Sequence, residues 1–102
     1  MSRDDRLYLS DMRASCEKVI RYTRGMEFEE FLSDDRTYDA VLRNLEILGE
    51  ASKRVSPGIQ AKSPDIEWRK VSGLRDVVAH AYFGIDDTIV WDVIRNKVPR
   101  LL

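Results

Sequence analysis

The sequence holds a single cysteine and a single histidine among its 102 residues, with three prolines and five glycines. One cysteine, Cys16, rules out an internal disulfide and fits a reducing compartment, so a cytoplasmic location is expected. One cysteine and one histidine cannot supply the four sulfur and imidazole ligands of a structural zinc site, and no metal or other cofactor is expected. No apolar run reaches the ~18 residues that a membrane helix needs. The opening segment MSRDDRLYLSDMR lacks the apolar stretch and small-residue cleavage site of a secretory signal, so no association with a membrane is expected. An excess of either charge is missing as well: 17 Lys and Arg face 18 Asp and Glu, a net charge of −1. Any histidine chemistry must therefore fall on His80 or draw a second copy of it from another chain.

What is present is the balance of a folded protein, with 43% hydrophobic and 34% charged residues. The length suits one domain over residues 1–102, able to bury about two-thirds of its unfolded surface. Leu9, Met12, Cys16, Val19, Thr23 and Met26 recur at intervals of three and four, which predicts an amphipathic helix stopped at Gly25. Tyr38, Val41, Leu45, Leu48, Ser52 and Val55 form a second such stripe, opened by Asp34-Asp35 and closed before Ser56-Pro57-Gly58. Phe28, Phe31 and Leu32 suit a short helix between them. After a break from Pro57 to Pro64, a run from about Arg69 to Phe83 is halted by Gly84. A last helix, capped by Asp86 or Asp87, is expected to bury Ile89, Val90, Val93 and Ile94, with a kink or frayed turn at Pro99. No alternating strand pattern occurs. The expected fold is all-α, an up-down bundle of four main helices plus short ones.

The near-zero net charge hides an uneven distribution. Residues 26–50 carry a net charge of −6, and residues 53–75, with Lys53, Arg54, Lys62, Arg69, Lys70 and Arg75, carry +4. Phosphate binding follows local rather than total charge, so a basic surface in the second half stays open, as do solvated helix faces.

Around the only histidine the chain reads Gly73-Leu-Arg75-Asp76-Val-Val-Ala-His80-Ala-Tyr82-Phe-Gly-Ile85. On a helix Asp76 and His80 are neighbours four apart, so the carboxylate could fix the tautomer of the imidazole. Arg75 and Tyr82 share a face about 10 Å apart along the axis, whereas Arg75 and His80 point about 140° apart. Either the helix bends or a site combines side chains of two chains across a two-fold axis. Such groups suit RNA cleavage: histidine for proton transfer, arginine for the phosphate and its crowded transition state. They equally suit a surface pair of Asp76 with His80, with Arg75 salt-bridged elsewhere and Tyr82 packing the helix end.

Arg75-x4-His80-x-Tyr82 matches the Arg-x4-His-x-Tyr signature of the HepT-like toxins in the HEPN superfamily. Asn44 through Ala51 resembles the family's Ile-x-Gly-Glu-Ala helix, and Trp68, Gly73 and the stretch from Ile85-Asp86 to Val90-Trp91 fall where that family would have them. The resemblance spans roughly residues 5 to 98. It implies a HEPN-like homodimer with two Arg-x4-His motifs in a shared cleft, acting on RNA as a metal-independent endoribonuclease. Arg75 and His80 would be the catalytic pair, with Asp76 supporting. It further implies a toxin paired with a minimal nucleotidyltransferase antitoxin, MntA, that attaches AMP to Tyr82. A non-catalytic nucleotide- or RNA-binding module that docks such a partner is the alternative. Glu50 reads as a solvated or structural carboxylate more than a cleft group, Gly49 as a point of close helix approach, Trp68 and Trp91 as core or interface anchors, and Cys16 as core.

Overall fold

The computed structural model describes residues 3–83 and 86–101, without the side chain of Tyr82. Gly84 and Ile85, to which the sequence assigns a helix stop and part of the family pattern, lie outside the described residues. The two longest stripes become the two longest helices, α1 (Arg3–Thr23) and α3 (Asp35–Arg54). Their buried positions follow the expected spacing: Met12, Cys16, Val19 and Thr23 on α1, Val41, Leu45, Leu48 and Ser52 on α3. The two pack antiparallel, since Asp5 at the start of α1 accepts hydrogen bonds from the Ser56 amide and hydroxyl just past α3, both at 2.9 Å. Buried polar groups find local acceptors, as where the Thr23 hydroxyl donates to the Val19 carbonyl at 2.8 Å.

The turn after α1 uses Gly25 at φ +76, a left-handed conformation that favours glycine. Next comes α2 (Phe28–Ser33), the short helix expected from Phe28, Phe31 and Leu32. Asp34 then caps α3 by accepting from the Thr37 amide at 3.1 Å. That bond is the first cause holding the Asp34 carboxyl below its ordinary pKa. Cys16 sits in the core, where burial first and Glu17 second push its thiol up to about 11, leaving little reactive thiolate at neutral pH.

Three local expectations are corrected. The break between Pro57 and Pro64 contains a helix, α4 (Pro57–Lys62), because Pro57 sits at the first helical position, where its missing N–H is not needed. The run from Arg69 to Phe83 is two helices, α5 (Trp68–Ser72) and α6 (Leu74–Tyr82), jointed at Gly73. Near the C-terminus, α7 (Asp87–Asp92) is capped by Asp86 and continues through a π-helical stretch, Val93–Lys97, into α8 (Val98–Leu101). The chain therefore stays helical through Pro99 to Leu101 instead of fraying there. Pro99 cannot donate to the Arg95 carbonyl four residues back, and its ring crowds that carbonyl, so the ladder widens ahead of it and the Val98 amide reaches the Val93 carbonyl. Of the four residues expected to be buried here, Val90, Val93 and Ile94 are, but Ile89 is 48% exposed because it falls off the stripe that runs on to Val98.

The described residues form an all-α fold without strands. One core cluster draws on all the helices except α4, whose Ile59 packs against its edge. Phe31 lies at its centre, fully buried, with ring centroids 5.2 Å from Tyr38 and 5.3 Å from Trp91. The Tyr38 hydroxyl donates to Asp87, and the Arg95 guanidinium stacks 4.4 Å above the Trp91 ring while donating to the Met26 carbonyl. These contacts seat the C-terminal helices against α2 and α3. Both tryptophans are thus partly buried packing groups, Trp68 donating its Nε1 to the Ser63 carbonyl at 3.1 Å. No helix is long and apolar enough to cross a membrane among the described residues.

Candidate active site

The motif helix is positioned by α3. Gly49 faces the joint between α5 and α6, where a Cβ would stand 3.3 Å from the Val71 carbonyl oxygen and 3.4 Å from the Arg75 amide nitrogen and the Ser72 carbonyl oxygen. All three neighbours are backbone, so even a methyl group at 49 would fit tightly, at the cost of a shift of a few tenths of an ångström between the helices. Three residues on, the fully buried Ser52 donates to the Gly49 carbonyl at 2.9 Å and lies 3.1 Å from the Ser72 hydroxyl. With the Ser52 hydrogen so used, Ser72 is the donor of that second bond. The start of α6 is therefore held to α3 by close contact and by a hydroxyl pair.

From that start α6 runs as one regular helix, burying Leu74, Val78 and Ala81 and exposing Arg75, Asp76, Ala79 and His80. Its one interruption, Gly73, precedes both Arg75 and His80, so no bend converges them within a chain. They flank a solvent face with the small Ala79 between them. Tyr82 closes the helix seven residues after Arg75; its side chain is outside the described residues.

Arg75 has a defined partner: its Nη1 donates to Glu50 Oε1 at 2.6 Å, a charge-assisted pair between half-exposed side chains. Glu50 is thus a structural carboxylate at the motif itself, tied to the arginine rather than merely solvated. Its adjacency to Gly49 was the available signal, because a glycine that admits a neighbouring helix puts the next side chain beside that helix. Asp76 and His80 are both exposed, and no hydrogen bond or ion pair joins them among the described residues. The tautomer-fixing contact expected from their spacing is absent in this conformation.

The surroundings are polar on one side and apolar on the other. Glu50 also borders a surface groove of about 260 Å³ between α1 and α3, rimmed by Tyr8, Asp11, Arg43 and Arg54. Lys53, Arg54, Lys62, Arg69, Lys70 and Arg75 are all exposed, with Lys70 paired to Glu67 at 2.8 Å and Arg75 to Glu50. Past the helix end, Phe83 is 81% exposed, the most exposed large hydrophobic residue described. It follows His80 by three positions, which on a helix places it over the same side. An exposed arginine can bind a phosphodiester and an exposed histidine can exchange protons with one, but on this helix the two point about 140° apart.

The family described as Ribonuclease HepT-like matches residues 12–102. A relative named "Probable ribonuclease HepT", from Thermococcus cleftensis, is 40% identical over 99% of this chain and 92% of its own. A Methanocaldococcus jannaschii protein provisionally named an RNase is 41% identical over 96% of this chain and 81% of its own. Another, from Caldanaerobacter subterraneus subsp. tengcongensis and likewise provisionally named an RNase, is 35% identical over 94% and 86%. No solved structure gives a significant match.

Proposed function

Because the chain belongs to the HepT-like ribonuclease family, we propose that it is a toxin endoribonuclease that cleaves RNA without a metal ion, at a cleft shared by two copies of α6. The observation that carries this reading is the exposure of Arg75 and His80 on one unbroken helix, about 140° apart, outside the core. One chain cannot turn both onto a single phosphate, and two chains about a two-fold axis can. Phe83, exposed just past the end of α6 and three positions after His80, would offer an apolar contact to such an interface.

In the reaction, the 2′-oxygen forms a bond to phosphorus and the bond to the 5′-oxygen breaks, leaving a 2′,3′-cyclic phosphate and a 5′-hydroxyl. One neutral His80 takes the 2′-hydroxyl proton, and the protonated His80 of the second copy gives a proton to the departing oxygen. Arg75 holds the phosphate oxygens and stabilises their charge as the crowded intermediate forms. Asp76 sits within reach of a rotated His80 side chain, where it can steady the protonated imidazole.

The test is a gel assay of a defined RNA in excess EDTA. Cleavage at the rate seen without chelator is expected, and replacing the 2′-hydroxyl at the cut by hydrogen is expected to abolish it. A requirement for added divalent ion overturns the metal-free mechanism. RNA bound without any product favours the non-catalytic binding module instead.

We also propose a nucleotidyltransferase antitoxin as partner, transferring AMP from ATP to the Tyr82 oxygen with loss of pyrophosphate. Tyr82 stands seven residues from Arg75, two turns along the same side of α6, so the adduct's phosphate would pair with the arginine and obstruct the cleft. Mass spectrometry of protein co-expressed with such a partner is expected to find an adenylyl group on the Tyr82 peptide, absent from Tyr82→Phe. An unmodified Tyr82 in an inactive complex would overturn this mode of silencing.

A further inference from the structure

We propose that Glu50 is the positioning residue for Arg75, gripping the guanidinium by one nitrogen so that its other edge faces a phosphate. The proposal deepens the ribonuclease reading, on which it rests for the identity of the phosphate.

The single contact runs from Arg75 Nη1 to Glu50 Oε1 at 2.6 Å, and no other hydrogen bond engages Arg75 among the described residues. An arginine offers five N–H donors in a rigid planar fork. Engagement through Nη1 alone leaves the edge formed by Nε and the second Nη, which is the edge that meets two phosphate oxygens in parallel. The Arg75 side chain is 56% exposed, and the bond to Glu50 is the polar contact that limits its rotamers. Glu50 is itself well anchored. It stands between Gly49, wedged against the backbone of residues 71–75, and the buried Ala51 and Ser52, the latter bonded across to Ser72. The backbone that carries Glu50 is thus fixed on α3, and its carboxylate meets the Arg75 side chain from α6.

A carboxylate beside an arginine could instead act as a mask that competes with the incoming phosphate. The two roles differ in what matters: an oxygen that accepts from Nη1, or a negative charge that repels phosphate. Glu50→Gln and Glu50→Ala both remove the charge, but only Gln keeps an oxygen able to accept. Their comparison separates the roles.

Binding is measured by fluorescence anisotropy with a labelled 2′-deoxy oligonucleotide, which has no hydroxyl to attack its own phosphate. Positioning predicts that Glu50→Ala binds at least about fivefold more weakly than Glu50→Gln. With saturating RNA, kcat for Glu50→Ala is expected about tenfold below that of Glu50→Gln. The thermal midpoints of both should match, because an exposed ion pair adds little to stability. Equal binding by the two variants overturns the proposal, as does equal tightening of both relative to the unsubstituted protein, the signature of a mask. Should the unsubstituted protein cut no RNA, the ribonuclease reading fails, and the oligonucleotide comparison still decides the role of Glu50.

Discussion

His80→Ala is expected to lower RNA cleavage by about 10²–10⁴-fold, the usual worth of a positioned general acid or base. Arg75→Ala is expected to cost about 10²–10³-fold through lost stabilisation of the charged transition state. Both side chains are exposed, so neither change should unfold the protein, and unaltered circular dichroism separates lost chemistry from lost structure. The more demanding part concerns mixtures. Transfer to the 2′-oxygen needs one group to accept a proton and another to donate one, and each chain carries one histidine. If both copies of His80 serve one cleft, a dimer with a single His80→Ala chain is dead. Co-expressing equal amounts of wild type and His80→Ala should then leave roughly a quarter of full activity, the share of dimers with two intact chains. Independent sites, one per chain, would leave roughly half. The same sample should sediment at twice the 11.9 kDa of one chain. A monomer would defeat the shared cleft, and half activity would defeat the use of both histidines in one cleft.

Phe31→Ala is expected to destabilise the fold by about 3–5 kcal/mol, the range for removing a large aromatic side chain from a packed core. Phe31 has no exposed surface, and its ring meets both Tyr38 and Trp91. Those two neighbours belong to different parts of the chain, α3 and the C-terminal helices, and Trp91 also touches Phe28 at a centroid distance of 5.8 Å. A cavity here would loosen α2 and the seat of α7 together, so little relaxation can refill it. Against a total stability of about 5–15 kcal/mol for a small domain, the loss is a large fraction. Urea unfolding measures it directly, and a change below about 1 kcal/mol would show that the aromatic cluster does not brace the fold.

The outline of this fold is legible in the sequence wherever a stripe is long. Fifteen or more residues of three-and-four spacing overdetermine a helix, so α1 and α3 emerge with their caps, Gly25 and Asp34. Short elements escape because a few residues carry no period: α4 hides between two prolines, and the joint at Gly73 interrupts a pattern that reads as continuous. The effect of Pro99 depends on the tertiary seat of its helix. Buried Val93, Ile94 and Val98 keep the helix going, and the misfit is absorbed as a wider turn. At the site, the exposure of Arg75 and His80 follows from the positions of Leu74, Val78 and Ala81. The partnership of Arg75 with Glu50 does not, because it joins residues 25 positions apart through a helix contact that only packing creates.

Cys16 gives the molecule a practical property. The one thiol in the chain is sealed in the core and holds its proton well above neutral pH. A cysteine placed on any exposed helix face would thus be the sole address for a spin label or dye in the native state. Pairs of such labels, one per copy, would report the separation of two motif helices as a ruler reading, with no native cysteine to be removed first.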